Sequence, residues 1–182
     1  MSRAFVKEDA GGEAHDLPER PVPRHANYVT ARGLAQLQAR ERELLARHEA
    51  LNALAEDDGE ARTQRAEIAR DLRYVHAQLE RAQVVQPEPS TADKAPRVRF
   101  GATVEIVDDA GVRQRYRIVG DDEADAASGN ISWASPLARA LIGARAGDVV
   151  TWRRPAGVLE VEVVGVWFER DGVCHQEGNL LP

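Results

Sequence analysis

The chain has one cysteine, one methionine and few aromatics, with Phe, Trp and Tyr making up 5% of its 182 residues. A lone Cys174 excludes an internal disulfide framework and suits a reducing compartment. Scarce aromatics leave the core to aliphatic side chains. Basic residues are not in excess: 24 Lys and Arg against 30 Asp and Glu give a formal net charge of −6. No global field therefore draws the chain onto nucleic acid. Long apolar runs are missing, and so is an N-terminal apolar stretch flanked by positive charge. Neither a membrane span nor a signal peptide is expected, and the expected location is cytoplasmic. Cys174-His175 has no partner cluster, so a zinc site is not expected. Nor is there a Ser/His/Asp set at a credible position, or a glycine loop shaped to cradle phosphate. No independent active site is expected.

What is present divides into two characters. Residues 1–27 are acidic and carry glycine and proline without an apolar period, which predicts a disordered tail. From Tyr28 the pattern becomes helical, with Thr30 as a candidate N-cap. Leu34, Leu37, Leu44, Leu51 and Ala55 fall on alternating three- and four-residue steps, with Glu41 and His48 at the remaining seam positions. Glu56-Asp57-Asp58-Gly59-Glu60 interrupts this seam. A second stripe follows at Ala61, Arg65, Ile68, Leu72, Val75, Leu79 and Ala82. Neither helix can bury its stripe alone, so residues 28–86 are expected to fold back as an antiparallel coiled-coil hairpin with its tip near 56–60. The alternative is one long helix pairing between chains, which Gly59 among four acids argues against. An arm of roughly 25 residues reaches about 37 Å. Arg62, Arg65, Arg70, Arg73 and Arg81 could form a basic strip, but interleaved Glu67, Asp71 and Glu80 favour a solvated, paired face.

Residues 87–96 form a proline-rich polar linker. Beyond it, over 97–170, the period becomes two. Val98-Arg99-Phe100 is expected to begin a strand, and Ala102–Val107 and Val112–Val119 to form a hairpin around Asp108-Asp109-Ala110-Gly111. Tyr116 and Ile118 then share one face and Arg113, Arg115 and Arg117 the other, which is either solvated or a partner surface. Asp121–Asn130 is an acidic loop. Ser135 is a good N-cap, Pro136 falls at the first helical position, and Gly143 ends a short apolar helix. Asp148–Arg153 and Val158–Trp167 complete the strands, and 171–182 is a polar tail. The expected fold is α+β in two domains, the second an antiparallel sheet carrying one short helix.

These residues resemble the bacterial Gre-type transcript-cleavage and transcription elongation factors. The likeness lies in Tyr28-Val29-Thr30 with Gly33-Leu34 and Leu37, in Phe100-Gly101 with Val104-Glu105-Ile106, and in Tyr116-Arg117-Ile118-Val119-Gly120. It is most specific in Ile131-Ser132, Ser135-Pro136-Leu137-Ala138-Arg139-Ala140-Leu141, Gly143 and Gly147-Asp148, followed by Pro155-Ala156-Gly157. The resemblance implies an FKBP-like C-terminal domain that docks at the rim of the RNA polymerase secondary channel, with Ser132, Ser135, Pro136 and Arg139 as docking candidates. It also implies an arm that enters the channel and presents Asp57, Asp58 and Glu60 at its tip. No catalytic residue, cofactor or metal site of its own is expected. Asp57 and Asp58 are the residues that would meet a Mg²⁺ shared with the polymerase active centre. The implied partner is core RNA polymerase, nucleic acid is reached only through the elongation complex, and the chain is expected to be a monomer.

The sequence departs from the family at the tip, where Glu56-Asp57-Asp58-Gly59-Glu60-Ala61 stands without the Ser-Glu-Asn-Ala of cleaving members. Each helix is also about a heptad shorter, or roughly 10 Å of reach. Ligation needs a carboxylate oxygen within about 2.0–2.6 Å of the ion. This argues against cleavage stimulation and for a non-enzymatic regulator. The alternatives are an antagonist that competes with cleaving factors and, from the shared fold, a peptidyl-prolyl isomerase or chaperone module.

Overall fold

The computed structural model describes residues 17–53, 59–86 and 96–168. It divides into two compact units, one of Met1–Val22 with Arg40–Ala77, the other of Pro23–Ala39 with Gln78–Pro182.

The first unit is built from most of two helices, α1 (Ala31–Asn52) and α2 (Gly59–Glu80). Its buried apolar residues are Leu44, Ala61, Ile68, Leu72 and Val75, all at seam positions expected from the three-four spacing. The polar seam residues Glu41 and His48 are half-buried. Midway along α1, Glu41 lies 3.0 Å from the ring Nε2 of His76, toward the end of α2, as the expected antiparallel fold-back requires. Arg65 takes its seam place half-buried. Leu79 is half-buried at its seam place, and Ala82 lies beyond the helix. Gln78 beside it is fully buried, and α2 stops at Glu80, where the chain enters a strand.

In the second unit that strand, β2 (Ala82–Val84), pairs in parallel with β1 (Asn27–Val29), with Tyr28 opposite Gln83. Thr30 caps α1 as expected, its Oγ1 accepting the Gly33 amide at 3.0 Å. The disordered tail expected over 1–27 needs correction in its described part. His25 and Pro23 carbonyls accept from Arg81 at 2.6 and 2.7 Å, and the Asn27 side chain donates to the Gln78 carbonyl at 2.8 Å. Specific hydrogen bonds offset the ordering entropy there, which composition could not show. Residues 1–16, the linker over 87–95 and the chain beyond 168 lie outside the described residues.

The larger sheet has the order β5-β4-β3-β7-β6. Its strands are β3 (Ala102–Asp108), β4 (Arg113–Val119), β5 (Asn130–Ser132), β6 (Val149–Arg154) and β7 (Gly157–Phe168). The β3–β4, β3–β7 and β6–β7 pairs are antiparallel as expected. β5 runs parallel to β4, so the sheet is mixed. The reason is the connection: two short 3-10 turns, Asp121–Glu123 and Ala126–Ser128, bring the chain back before it re-enters the sheet. Gly111 closes the β3–β4 turn at φ +79°, where any side chain would be strained. Val98 was expected to begin a strand, and it does not. Its amide donates to the Ala144 carbonyl and its carbonyl accepts from the Gly143 amide, both at 2.8 Å. Its hydrogen bonds are thus spent on the turn after α3 (Pro136–Leu141) rather than on the ladder.

One face of the sheet carries the core. Val104, Ile106, Ile118, Val161 and Val163 pack against Leu137, Ala138 and Leu141 of α3, all buried. Each such Val, Leu or Ile side chain contributes roughly 1.5–3 kcal/mol of burial. The core is aliphatic, as the shortage of aromatics requires. The other face is left to Glu105, Arg113, Arg115 and Trp167.

Candidate functional site

The docking candidates converge where β5 meets α3. Ser132 donates its hydroxyl to Asp121 and its Oγ accepts the Ala134 amide at 3.0 Å. Ser135 has an extended backbone and accepts the Ala138 amide at 3.2 Å, which makes it the N-cap of α3. Pro136 follows at the first turn, where no backbone donor is needed. These two serines are therefore structural fasteners whose hydroxyls are already engaged. Pro136 and Arg139 are exposed, and Ile142, one turn on, is 42% exposed. Together they make a small outward face with an apolar end and a cation.

Of the tip candidates, Asp57 and Asp58 lie outside the described residues. Glu60 sits exposed in the first turn of α2, where its charge favours the helix N-terminus, and accepts from the Gln64 side chain at 3.2 Å. Among the described residues no group of three or more His, Cys, Asp or Glu could hold a metal ion. One described carboxylate is too few donors for a Mg²⁺ site, so no chemistry is assigned to one here.

The sequence reading missed a feature beside the docking candidates: the first 3-10 turn, dismissed as an acidic loop. Each of its three carboxylates holds a different segment. Asp121 takes the Ser132 hydroxyl and lies 3.3 Å from the His25 ring Nε2. Asp122 accepts from Gln78 at 2.6 Å, and Gln78 is only 1% exposed. Glu123 accepts the Thr30 hydroxyl at 2.6 Å, the Thr30 amide at 3.1 Å and the Gly120 amide at 3.3 Å. Glu123 thus caps a helix that begins more than ninety residues earlier in the chain. The Tyr28 ring packs 5.0 Å from Trp133 and 6.1 Å from Phe100, and His25 meets Trp133 edge-on at 5.1 Å. The only sequence signal was three consecutive acids between a glycine and a strand. Local patterning cannot say which distant donors they meet.

On the open sheet face, Glu105 accepts from Arg113 at 3.0 Å and Arg115 at 3.3 Å. The hydrogen bond from Arg113, then that from Arg115, holds its carboxyl below the ordinary range. Arg115 also lies 5.3 Å from the centre of the Trp167 ring. Two of the three arginines expected on this face are thus paired to one acid.

The family model described as "Transcription elongation factor, GreA/GreB, C-term" matches residues 93–168. A GreA of Alkalilimnicola ehrlichii is 42% identical over 109 residues, which cover 59% of this chain and 68% of that protein. The chain belongs to the GreA/GreB transcription elongation factor family. A GreB of Neisseria meningitidis serogroup B is 47% identical over 102 residues, 56% of this chain and 61% of that relative. The match thus spans about two thirds of the length of these relatives. The solved GreA factor homolog 1 (Gfh1) of Thermus thermophilus is 24% identical, covering 79% of this chain and 99% of that one, at a TM-score of 0.38. A score that low adds no argument to the family assignment. No described helix of this GreA/GreB family member is long and apolar enough to cross a membrane.

Proposed function

We propose that this chain binds core RNA polymerase as a non-enzymatic elongation regulator. Its C-terminal domain docks at the secondary-channel rim through the start of α3, and its helical arm enters the channel. The observation that carries the reading is the outward face Pro136, Arg139 and Ile142. Arg139 is exposed, and no described residue partners it, while the serines beside it are used up internally. A short rigid helix with its cap satisfied presents a cation and an apolar edge at little entropic cost on binding. Retention of core polymerase by immobilised full chain tests this. Arg139→Glu should weaken retention at least tenfold with the fold intact, and a folded chain that retains no polymerase refutes the reading.

A second reading keeps the partner and changes the outcome. The tip sequence Glu56-Asp57-Asp58-Gly59-Glu60-Ala61 lacks Ser-Glu-Asn-Ala, which favours an antagonist that occupies the channel without promoting cleavage. Backtracked elongation complexes mixed with the chain should then keep their RNA uncut, and should resist an added cleaving factor. Faster cleavage on addition of the chain alone would reject this reading.

A further inference from the structure

The segment Leu17–Val22 has no helical period, yet side chains fasten it to α2. Arg73 donates from Nε to Glu19 Oε1 at 2.9 Å. Arg20 stands 3.6 Å from Asp71 and lies over the Tyr74 ring, 4.0 Å from its centre. Residues 71 and 74 are three apart, so they are neighbours on one helix face. Arg20 is thus held between a carboxylate and an aromatic ring one turn on, while Glu19 reaches Arg73. Leu17 and Val22, at the two ends of the segment, are half-buried.

The charges match in order: an acid meets a base, then a base meets an acid and a ring. This pairing has two consequences. Arg73, a member of the basic strip read from the sequence, is compensated by Glu19, as Arg70 is by Asp71 at 3.3 Å. And the face made by Asp71, Arg73 and Tyr74 already has an occupant. Every contact in the set is a charge interaction at partly solvated side chains, so salt weakens them together.

We propose that Leu17–Val22 is a salt-sensitive strap, an in-cis occupant of the Asp71–Arg73–Tyr74 face of the arm that restrains α2 from opening and masks this face from a partner. The masking half rests on the polymerase reading above; the restraint does not.

Hydrogen exchange on the full chain tests the restraint. Two exposed ion pairs and one cation–π contact are together worth about a five- to tenfold change in local opening. At low salt, Glu19→Ala with Arg20→Ala should speed exchange of amides in 70–77 by about that factor. About 0.5 M NaCl should do the same to the wild type. Arg73→Glu alone should also speed exchange, and adding Glu19→Arg should restore it to within about twofold. Rates within twofold of wild type in every variant, or no restoration by the charge exchange, would overturn the strap. Polymerase affinity tests the masking. The Glu19→Ala, Arg20→Ala chain should bind about threefold or more tightly than wild type. Equal or weaker binding overturns the masking. A wild type that binds no polymerase overturns the functional reading with it, and the exchange result still decides the restraint.

Discussion

Glu123→Ala should be among the costliest single changes outside the hydrophobic core, and the structure gives the size. The Glu123 carboxylate accepts the Thr30 amide and hydroxyl, at 3.1 and 2.6 Å, and Thr30 is 0% exposed. Truncation leaves two buried donors with no acceptor, each worth about 1–3 kcal/mol. The Gly120 amide, at 3.3 Å, adds less. A loss of about 3–5 kcal/mol follows, with part of the hydroxyl's capping role kept through the Gly33 amide. Glu123→Gln keeps the shape and one acceptor oxygen, so it should cost about half as much. Gly33 makes the reasoning sharper. A Cβ there would collide with the Glu123 carboxyl group. Gly33→Ala should therefore destabilise the wild type. In the Glu123→Ala background the obstacle is gone, and alanine should be favoured over glycine in the helix by about 1 kcal/mol. The double-mutant cycle should thus show a change of sign, not merely a smaller penalty. Denaturant unfolding of the four chains, followed by circular dichroism, measures it. A cost below about 1 kcal/mol for Glu123→Ala, or the same cost for Gly33→Ala in both backgrounds, would refute the long-range cap.

Other outcomes follow from the same contacts. Ser135→Ala removes the α3 cap and should cost about 1 kcal/mol by chemical denaturation. Leu141→Ala, at a fully buried position of α3, should cost about 2–5 kcal/mol through the cavity left behind. Arg113→Ala with Arg115→Ala should raise the Glu105 titration midpoint toward the ordinary glutamate value, read by carboxyl NMR shifts. Because the folded state lowers this pKa, its stabilisation is present above the unfolded value and fades as pH falls through the folded one. The variant should therefore show a shallower loss of stability in that acid window. Gly165→Ala should displace the Trp167 indole, over which a Cβ would intrude, and red-shift tryptophan emission. At 44% exposure the ring can move aside, so stability should change by less than about 1 kcal/mol.

The sequence by itself determined the parts whose signal is local and periodic. The seam from Leu37 through Leu44 and back along Ile68, Leu72 and Val75 needs only the three-four spacing. Thr30, Ser135 and the glycine turns needed only capping and turn chemistry, and each stands where it was expected. The existence of α3 was likewise legible from the Ser-Pro start and the apolar period, but the exposure of Ile142, counted with its apolar residues, was not. Tertiary structure alone decided what depends on partners far along the chain. Asp121, Asp122 and Glu123 read as a solvated acidic loop because only the Ser132 hydroxyl and the Gly120 amide reach them from nearby sequence. Their other partners, Gln78, Thr30 and His25, arrive from 44 residues away or more. For the same reason Gln78 was buried beside Leu79, β5 turned parallel, and Leu17–Asn27 was held rather than left as a tail. Periodicity reports which face a residue occupies; only the folded chain supplies the polar partner that makes burying it affordable.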